Sequence, residues 1–324
     1  MNKMIMQQID KPSVHTYETA TSAAVEYVNR IKKAQGFDSV ATAFGVQLTD
    51  RGECLEDLQK FTSDFLDFRK GRERQEVAPV KLTEQQTEAI MTLAHELGMD
   101  RATEPTRNSY EFATVLGGAD QSNLLRVQYL KEQIEKHELD IPHVVLLGSA
   151  RDLSDAEKAN TTNYAPGAKT EFDLLNGAME TIFGVVGHAE RWMDFSNRNT
   201  NDPKNLWKVR VYSLSDDTQV LSVSAPQIEG AKRVNTADTY HFMNEVIGPE
   251  YLNGSHVLNV TTDLYVPFQH PDALRLLGLP SGAVVETIGF GGVDKPASIY
   301  AQEINSAIKQ TALLSKAIKY FVKT

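Results

Sequence analysis

The sequence contains very little cysteine and no long apolar run. Cys54 is the single cysteine among 324 residues, which excludes an intramolecular disulfide, and Cys and His do not recur at metal-ligand spacing, so we expect no metal site. No run of about 18 apolar residues is present, and the apolar stretch at the amino terminus is too short for a signal peptide. These features favour a protein of the reducing cytoplasm that does not enter a membrane.

The chain also lacks an excess of positive charge. It has 33 lysine and arginine residues against 43 aspartate and glutamate residues, a formal net charge of −10. Nucleic acids and anionic membranes are bound through net or clustered positive charge. We therefore expect neither as a partner, and any anion site must be local.

What the chain does contain is the composition of a globular protein, with 41% hydrophobic residues. Its length suits about two units at about 150 residues per domain. We predict a helical N-terminal extension over residues 1–105 and an α/β ligand-binding domain over residues 106–324.

Residues 1–105 have the periodicity of amphipathic helices and almost no strand pattern. Apolar residues recur every three or four positions, most clearly in two sets, and we predict three or four helices in all, whose apolar faces form core. Thr83 and Gln86 have the spacing of a capping box, and Gly98 is suited to end the helix that follows. The two sets are Tyr17, Ala20, Ala24, Tyr27 and Ile31, and Leu58, Phe61, Phe65 and Phe68.

After residue 106, short aliphatic runs alternate with helical patterns, which is typical of an α/β fold. We predict a Rossmann-like, doubly wound, mostly parallel sheet of about five strands, because runs such as residues 144–147 are apolar throughout. A strand-like stretch at 208–212 and a polar stretch at 196–205 indicate an insertion near 184–215, in the position of a lid. The predicted strands are 112–116, 143–147, 219–224, 256–261 and 283–288, and the predicted helices are about 121–137, 169–183, 236–247, 267–277 and 298–321.

The first loop at the carboxyl edge of this sheet carries Gly117 and Gly118. Two glycines let the backbone approach a ligand closely, and the helix that follows offers free N–H groups to an anion. Arg126, about one and a half turns into that helix, would add a charge-assisted pair. A glycine pair is also an ordinary turn and an arginine is often solvated, so both interpretations stay open. The loop matches neither a P-loop nor Gly-x-Gly-x-x-Gly.

The second loop places Ser149 at a strand end and Glu171 in the first turn of the next helix. A carboxylate there is favoured by the helix dipole whatever its function. Ser149 as a hydrolase nucleophile is a weaker alternative, because no Gly-x-Ser-x-Gly motif surrounds it.

Two further loops offer amide and hydroxyl groups. Asn235 or Thr236 is suited to cap a helix, which alone explains one of them. Thr261 and Thr262 end a strand, where they are equally consistent with ribose or phosphate binding and with ordinary strand propensity.

In this order, the motifs resemble the YdcF/SanA/ElyC-like family of bacterial α/β proteins over about residues 110–320. Two loops depart from the family pattern. Gly148-Ser149-Ala150 stands where a second glycine is usual, and Tyr265 and Phe268 occupy the positions expected to hold His and Arg, with His270 nearby. The resemblance implies nine pocket residues: Gly117, Gly118, Arg126, Ser149, Glu171, Asn235, Thr236, Thr261 and Thr262.

The resemblance also implies S-adenosylmethionine binding and a link to envelope polysaccharide metabolism. Our leading hypothesis is that residues 106–324 bind a small anionic, nucleotide-like ligand, either S-adenosylmethionine or a nucleotide sugar, with transferase-type chemistry left open. Arg126 would pair with its acid group, and Glu171 would accept a ribose hydrogen bond or act as general base. The competing hypothesis is a non-catalytic interaction protein that docks a partner through its N-terminal helices.

Overall fold

Four helices precede the sheet in the computed structural model, which describes residues 17–48, 54–72, 80–184, 191–194, 207–214, 218–226, 234–292 and 295–321. The predicted capping box is confirmed, since the Thr83 hydroxyl accepts the N–H of Gln86 and the Gln86 side chain accepts the N–H of Thr83. Gly98 follows this helix with a positive φ of 75°. The helices are α1 (Tyr17–Lys32), α2 (Gly36–Ala43), α3 (Leu55–Phe65) and α4 (Glu84–Glu96).

The described strands form one seven-stranded sheet in the order β3-β4-β5-β2-β1-β6-β7. The five predicted strands are all present and mutually parallel. The prediction of about five strands is nevertheless too low, because β3 and β4 add an antiparallel pair at one edge. The strands are β1 (Phe112–Leu116), β2 (His143–Ser149), β3 (Arg191–Asp194), β4 (Lys208–Ser213), β5 (Gln219–Ala225), β6 (His256–Thr262) and β7 (Val284–Phe290).

Helices cover both faces of the sheet, which makes the fold α/β. The first face packs against α5 and α7, the second packs against α8 and α10, and α12 packs on α10. The predicted helix at 267–277 is divided, since a π-helical segment (Leu274–Gly278) separates α10 from α11. These helices are α5 (Ser122–His137), α6 (Asp155–Asn160), α7 (Glu171–Phe183), α8 (Thr236–Ile247), α9 (Pro249–Leu252), α10 (Val266–Ala273), α11 (Leu279–Ser281) and α12 (Ala297–Phe321).

The order of the parallel strands sets where the chain changes direction. It runs outward from β1 through β2 to β5, and then returns to place β6 on the other side of β1. The carboxyl ends of β1 and β6 therefore lie side by side while the chain leaves them in opposite directions. In open α/β sheets, a crevice forms at such a point.

The N-terminal helices share a core with the second face of the sheet. α1, α3 and α4 contact α12, and apolar residues of all four helices join one cluster with residues of β1 and β2. Arg69 forms an ion pair of 2.8 Å with Glu303, and Lys309 forms one of 3.0 Å with Asp67. The Tyr27 hydroxyl donates to the Pro267 carbonyl at 2.8 Å. Contacts between helices thus hold the extension against α10 and α12.

Within the part that the structure describes, no helix has the combined length and apolarity that a bilayer span requires. The predicted insertion near 184–215 contains β3 and β4, while residues 185–190 and 195–206 lie outside the described residues.

Candidate functional site

The Gly117–Gly118 turn at the end of β1 is filled by protein groups. The Gly117 N–H donates to the Leu147 carbonyl at 2.8 Å, and the Gly118 N–H donates to the Asn123 side chain at 3.0 Å. A Cβ on Gly117 would lie 2.9 Å from Cδ of Glu171, and one on Gly118 would lie 3.0 Å from Nη1 of Arg126. These glycines therefore give room to two side chains of the site, and neither N–H is free for an anion.

Arg126 crosses from α5 to the ends of β1 and β6. Its side chain is buried, with 2% of the residue exposed. Nη1 donates to the Leu116 and Gly117 carbonyls, both at 2.7 Å, and Nη2 lies 3.4 Å from the Thr262 hydroxyl. Nε is buried and has no hydrogen-bond partner among the residues that the structure describes. The guanidinium is thus satisfied on one edge and largely unsatisfied on the other.

The charge of Arg126 has no partner in an ion pair among the described residues. Burial lowers the pKa of its guanidinium, and the negative charge of Glu171 acts in the opposite direction. Burying a charge without a close counter-charge costs several kcal/mol, roughly 3 to 5 in proteins. A bound anion would offset that cost.

Glu171 joins the second loop to the first. The Ser149 hydroxyl donates to Oε2 of Glu171 at 2.6 Å, and Nη2 of Arg151 lies 4.0 Å from Oε1. Arg151 is itself held by two hydrogen bonds to Glu157, at 2.9 and 3.1 Å. Burial opposes ionisation of Glu157, but the bonds from Arg151 and Ser154 outweigh it and lower its pKa to about 2. Two carboxylates and two arginines therefore surround the ends of β1 and β2.

The structure links one of the four remaining predicted residues to Arg126 and gives the other three different partners or positions. Thr262 faces Arg126, whereas Thr261 is fully buried and donates to the Gln269 side chain. The Asn235 side chain accepts the N–H groups of Ala237 and Asp238, which accounts for it as the cap of α8. Thr236 is the first residue of that helix. Six of the nine residues are thus linked by contacts around the glycine turn: Gly117, Gly118, Arg126, Ser149, Glu171 and Thr262.

Tyr265 is one of the two residues at the positions where the resemblance places His and Arg. Tyr265 lies near Arg126, as does the buried Tyr240 of α8, and each would favour the charged guanidinium when ionised. His270 has other contacts, with Nδ1 at 2.9 Å from the Thr287 hydroxyl and its ring 4.9 Å from that of Tyr27. We therefore assign His270 to packing between α1 and α10.

Asp263 was missed as a candidate in the sequence, although it follows Thr262 directly. Only 2% of the residue is exposed, and its carboxylate accepts the N–H of Leu264 at 2.7 Å. Burial raises the pKa of Asp263 to about 6. The available signal was its place at the end of a parallel strand, where polar residues line ligand crevices.

Asp263 should make stability depend on pH. The folded protein holds this proton up to about pH 6 and the unfolded chain only up to about 3.8, so the stability contributed by the protonated form is lost as pH rises through that window. We expect the free energy of unfolding of Asp263→Asn, relative to that of the wild type, to be higher at pH 7 than at pH 4, as measured by urea unfolding. An equal difference between the two proteins at both pH values would contradict this assignment.

The matches to known proteins cover the N-terminal helices and extend into the α/β domain. Residues 16–98, which contain α1 to α4, match the model of the Rv3785 N-terminal domain. Uncharacterized protein Rv3785 of Mycobacterium tuberculosis is 31% identical over 245 residues, which cover 72% of this chain and 67% of that protein. The chain belongs to the Rv3785 family. Uncharacterized protein Mb3814 of Mycobacterium bovis, another Rv3785-family relative, matches with the same identity and coverage. No solved structure is significantly similar to this Rv3785-family chain.

Proposed function

We propose that residues 106–324 bind a small anionic, nucleotide-like ligand at the carboxyl edge of the sheet, either S-adenosylmethionine or a nucleotide sugar. The observation that carries this proposal is the buried guanidinium of Arg126, which forms no ion pair among the described residues and leaves Nε without a partner. A charge kept in such a place is stabilised when an anion joins it.

The topology supports the same location. We propose that the fold is Rossmann-like, because the parallel strands, counted along the chain, lie in the order 3-2-1-4-5. Ligands of such folds bind where the strand order reverses, here between β1 and β6. Arg126 bonds to the last carbonyl of β1 and approaches Thr262 at the end of β6, so it lies at that point.

The neighbouring groups suit the neutral part of such a ligand. Glu171 lies beside the glycine turn and would accept a ribose hydrogen bond or act as general base for transferase-type chemistry. Ser149, which donates to it, fixes one of its oxygens. The ligand class, and a role in envelope polysaccharide metabolism, are taken from the resemblance to the YdcF/SanA/ElyC-like family and belong to this proposal.

A thermal-shift panel tests the proposal on the full chain. Nucleotides, S-adenosylmethionine and nucleotide sugars are added in excess, and a ligand at about 100 times its Kd should stabilise the fold by about 2.7 kcal/mol, a shift of several degrees. Arg126→Gln should lose the response, and Arg107→Gln, at an exposed position, should keep it. A flat response of the wild type to the whole panel would overturn the proposal without reference to any variant.

A second candidate function rests on a groove along α1, which is lined in part by Val25, Glu26, Asn29, Arg30 and Lys33. Val25 is 39% exposed and lies among the charged side chains of Glu26, Arg30 and Lys33, and such a mixture of apolar and charged groups is suited to a protein partner. Under this hypothesis, Val25→Asp would abolish partner binding and leave the ligand panel unchanged.

A further inference from the structure

We infer that the anionic group of the ligand is a carboxylate, held side-on by Arg126, rather than a phosphate. This inference rests on the proposed function and narrows it to one ligand chemistry. We base it on which N–H groups of the site already donate hydrogen bonds within the protein and which do not.

The free edge of Arg126 has the geometry of a carboxylate partner. Nη1 is used by the Leu116 and Gly117 carbonyls. Nε–H and one Nη2–H point from the opposite edge in parallel. Within the described part of the chain, Nε has no partner and Nη2 has one long contact of 3.4 Å to Thr262. Two parallel donors match the two oxygens of one planar carboxylate.

The two N–H groups of the glycine turn, which a phosphate would use beyond this pair, are occupied. Phosphate sites at helix N-termini use several backbone N–H groups. Here the N–H of Gly117 is bound to Leu147, and Asn123 closes on Gly118 by accepting from its N–H at 3.0 Å and donating to its carbonyl at 2.8 Å. The glycine turn therefore offers neither of its two N–H groups to a third phosphate oxygen.

The local charge also favours a monoanion. Glu171 lies next to Gly117 and interacts electrostatically with Arg126, and Arg151 is paired with Glu157, so the two arginines and two carboxylates around the site sum to no net charge. A pyrophosphate would bring two or more negative charges beside that carboxylate, whereas a carboxylate brings one. Because Nε is shielded from solvent, the crevice must open as the ligand binds.

A matched pair of probes tests the inference on the wild-type chain. S-adenosylhomocysteine carries an amino-acid carboxylate, and 5′-methylthioadenosine has the same nucleoside and thioether without it. By calorimetry, we expect the first to bind at least about 30-fold more tightly, the effect of one bidentate charge-assisted pair. AMP and UDP-glucose, which carry phosphate, should bind no more tightly than 5′-methylthioadenosine.

The nitrogen signal of Arg126 supplies a readout that does not depend on a variant. The Nε–H resonance in a ¹H–¹⁵N spectrum should move on addition of S-adenosylhomocysteine and stay in place with 5′-methylthioadenosine. Arg126→Lys keeps a positive charge without the fork and should weaken binding of S-adenosylhomocysteine about tenfold or more.

The outcomes separate this inference from the proposed function. If UDP-glucose or AMP binds and S-adenosylhomocysteine does not, or if the latter binds without moving the Nε–H resonance, the carboxylate assignment is overturned and an anion site at the edge stands. If none of the four probes binds and the wider panel is flat, the proposed function fails as well.

Discussion

Replacing Gly289 by alanine is expected to lower the free energy of unfolding by about 3 kcal/mol, near the upper end for overpacking a tight interior. A Cβ at this position in β7 would lie 2.5 Å from the backbone nitrogen of Asp263, 2.7 Å from its Cα and 2.8 Å from the carbonyl carbon of Thr262. All three atoms belong to the backbone that leaves β6, so no side-chain rotation relieves the contact. Urea unfolding followed by circular dichroism measures the loss.

Gly167→Ala is the matched control. Its φ is +79° and no atom of the described residues lies within 4 Å of the added Cβ, so we expect the substitution to add backbone strain alone. That strain costs about 1 to 2 kcal/mol. A loss in Gly289→Ala no larger than the strain measured in Gly167→Ala would contradict the overpacking expected from the close approach of β6 and β7.

Acidification is expected to destabilise the protein through His270. Burial, and secondarily the positive charge of Arg30, lower the pKa of His270 from 6.5 to about 3. In this pH range the His270 side chain therefore binds a proton in the unfolded chain but not in the folded protein, and stability is lost as pH falls from about 6.5 towards 3. Allowing for the partial exposure of the ring, we expect a loss of about 2 kcal/mol from this residue between pH 7 and pH 4.

His270→Asn removes the titrating group and keeps a polar atom near Thr287. Its free energy of unfolding should fall less than that of the wild type between the two pH values, whereas His241→Asn, at an exposed position, should follow the wild type. His143, whose pKa burial lowers to about 4, adds a separate contribution that both variants retain. An unchanged acid sensitivity in His270→Asn would refute the assignment.

The strands that carry the site could be predicted because they are apolar throughout. Val144 to Leu147 read as a strand covered on both faces, and the structure buries all four. The β3–β4 pair was only partly visible: Val209 and Val211 are buried and alternate with more exposed Lys208 and Arg210, a pattern that marks a strand but not its direction. Antiparallel pairing with β3 and β5, its neighbours on either side in the chain, decided that.

The site was less predictable than the sheet, for reasons that individual residues make plain. Thr261 and Thr262 were taken together, yet successive strand residues face opposite sides, so only one reaches Arg126. Gly117 and Gly118 were predicted to leave space for a ligand, and in the structure the side chains of Glu171 and Arg126 fill that space. Which group fills a space depends on rotamers and long-range packing, neither of which sequence spacing contains.

The packing of α1, α3 and α4 on α12 has a consequence for how the chain folds during synthesis. Contacts such as Arg69 with Glu303 join residues 234 positions apart, so the first helices cannot complete their core until residues 297–321 have left the ribosome. Contacts of such high sequence separation slow folding, because the long loop must be closed before they form. The N-terminal helices therefore spend most of translation with an uncovered apolar face, the state in which chaperones bind.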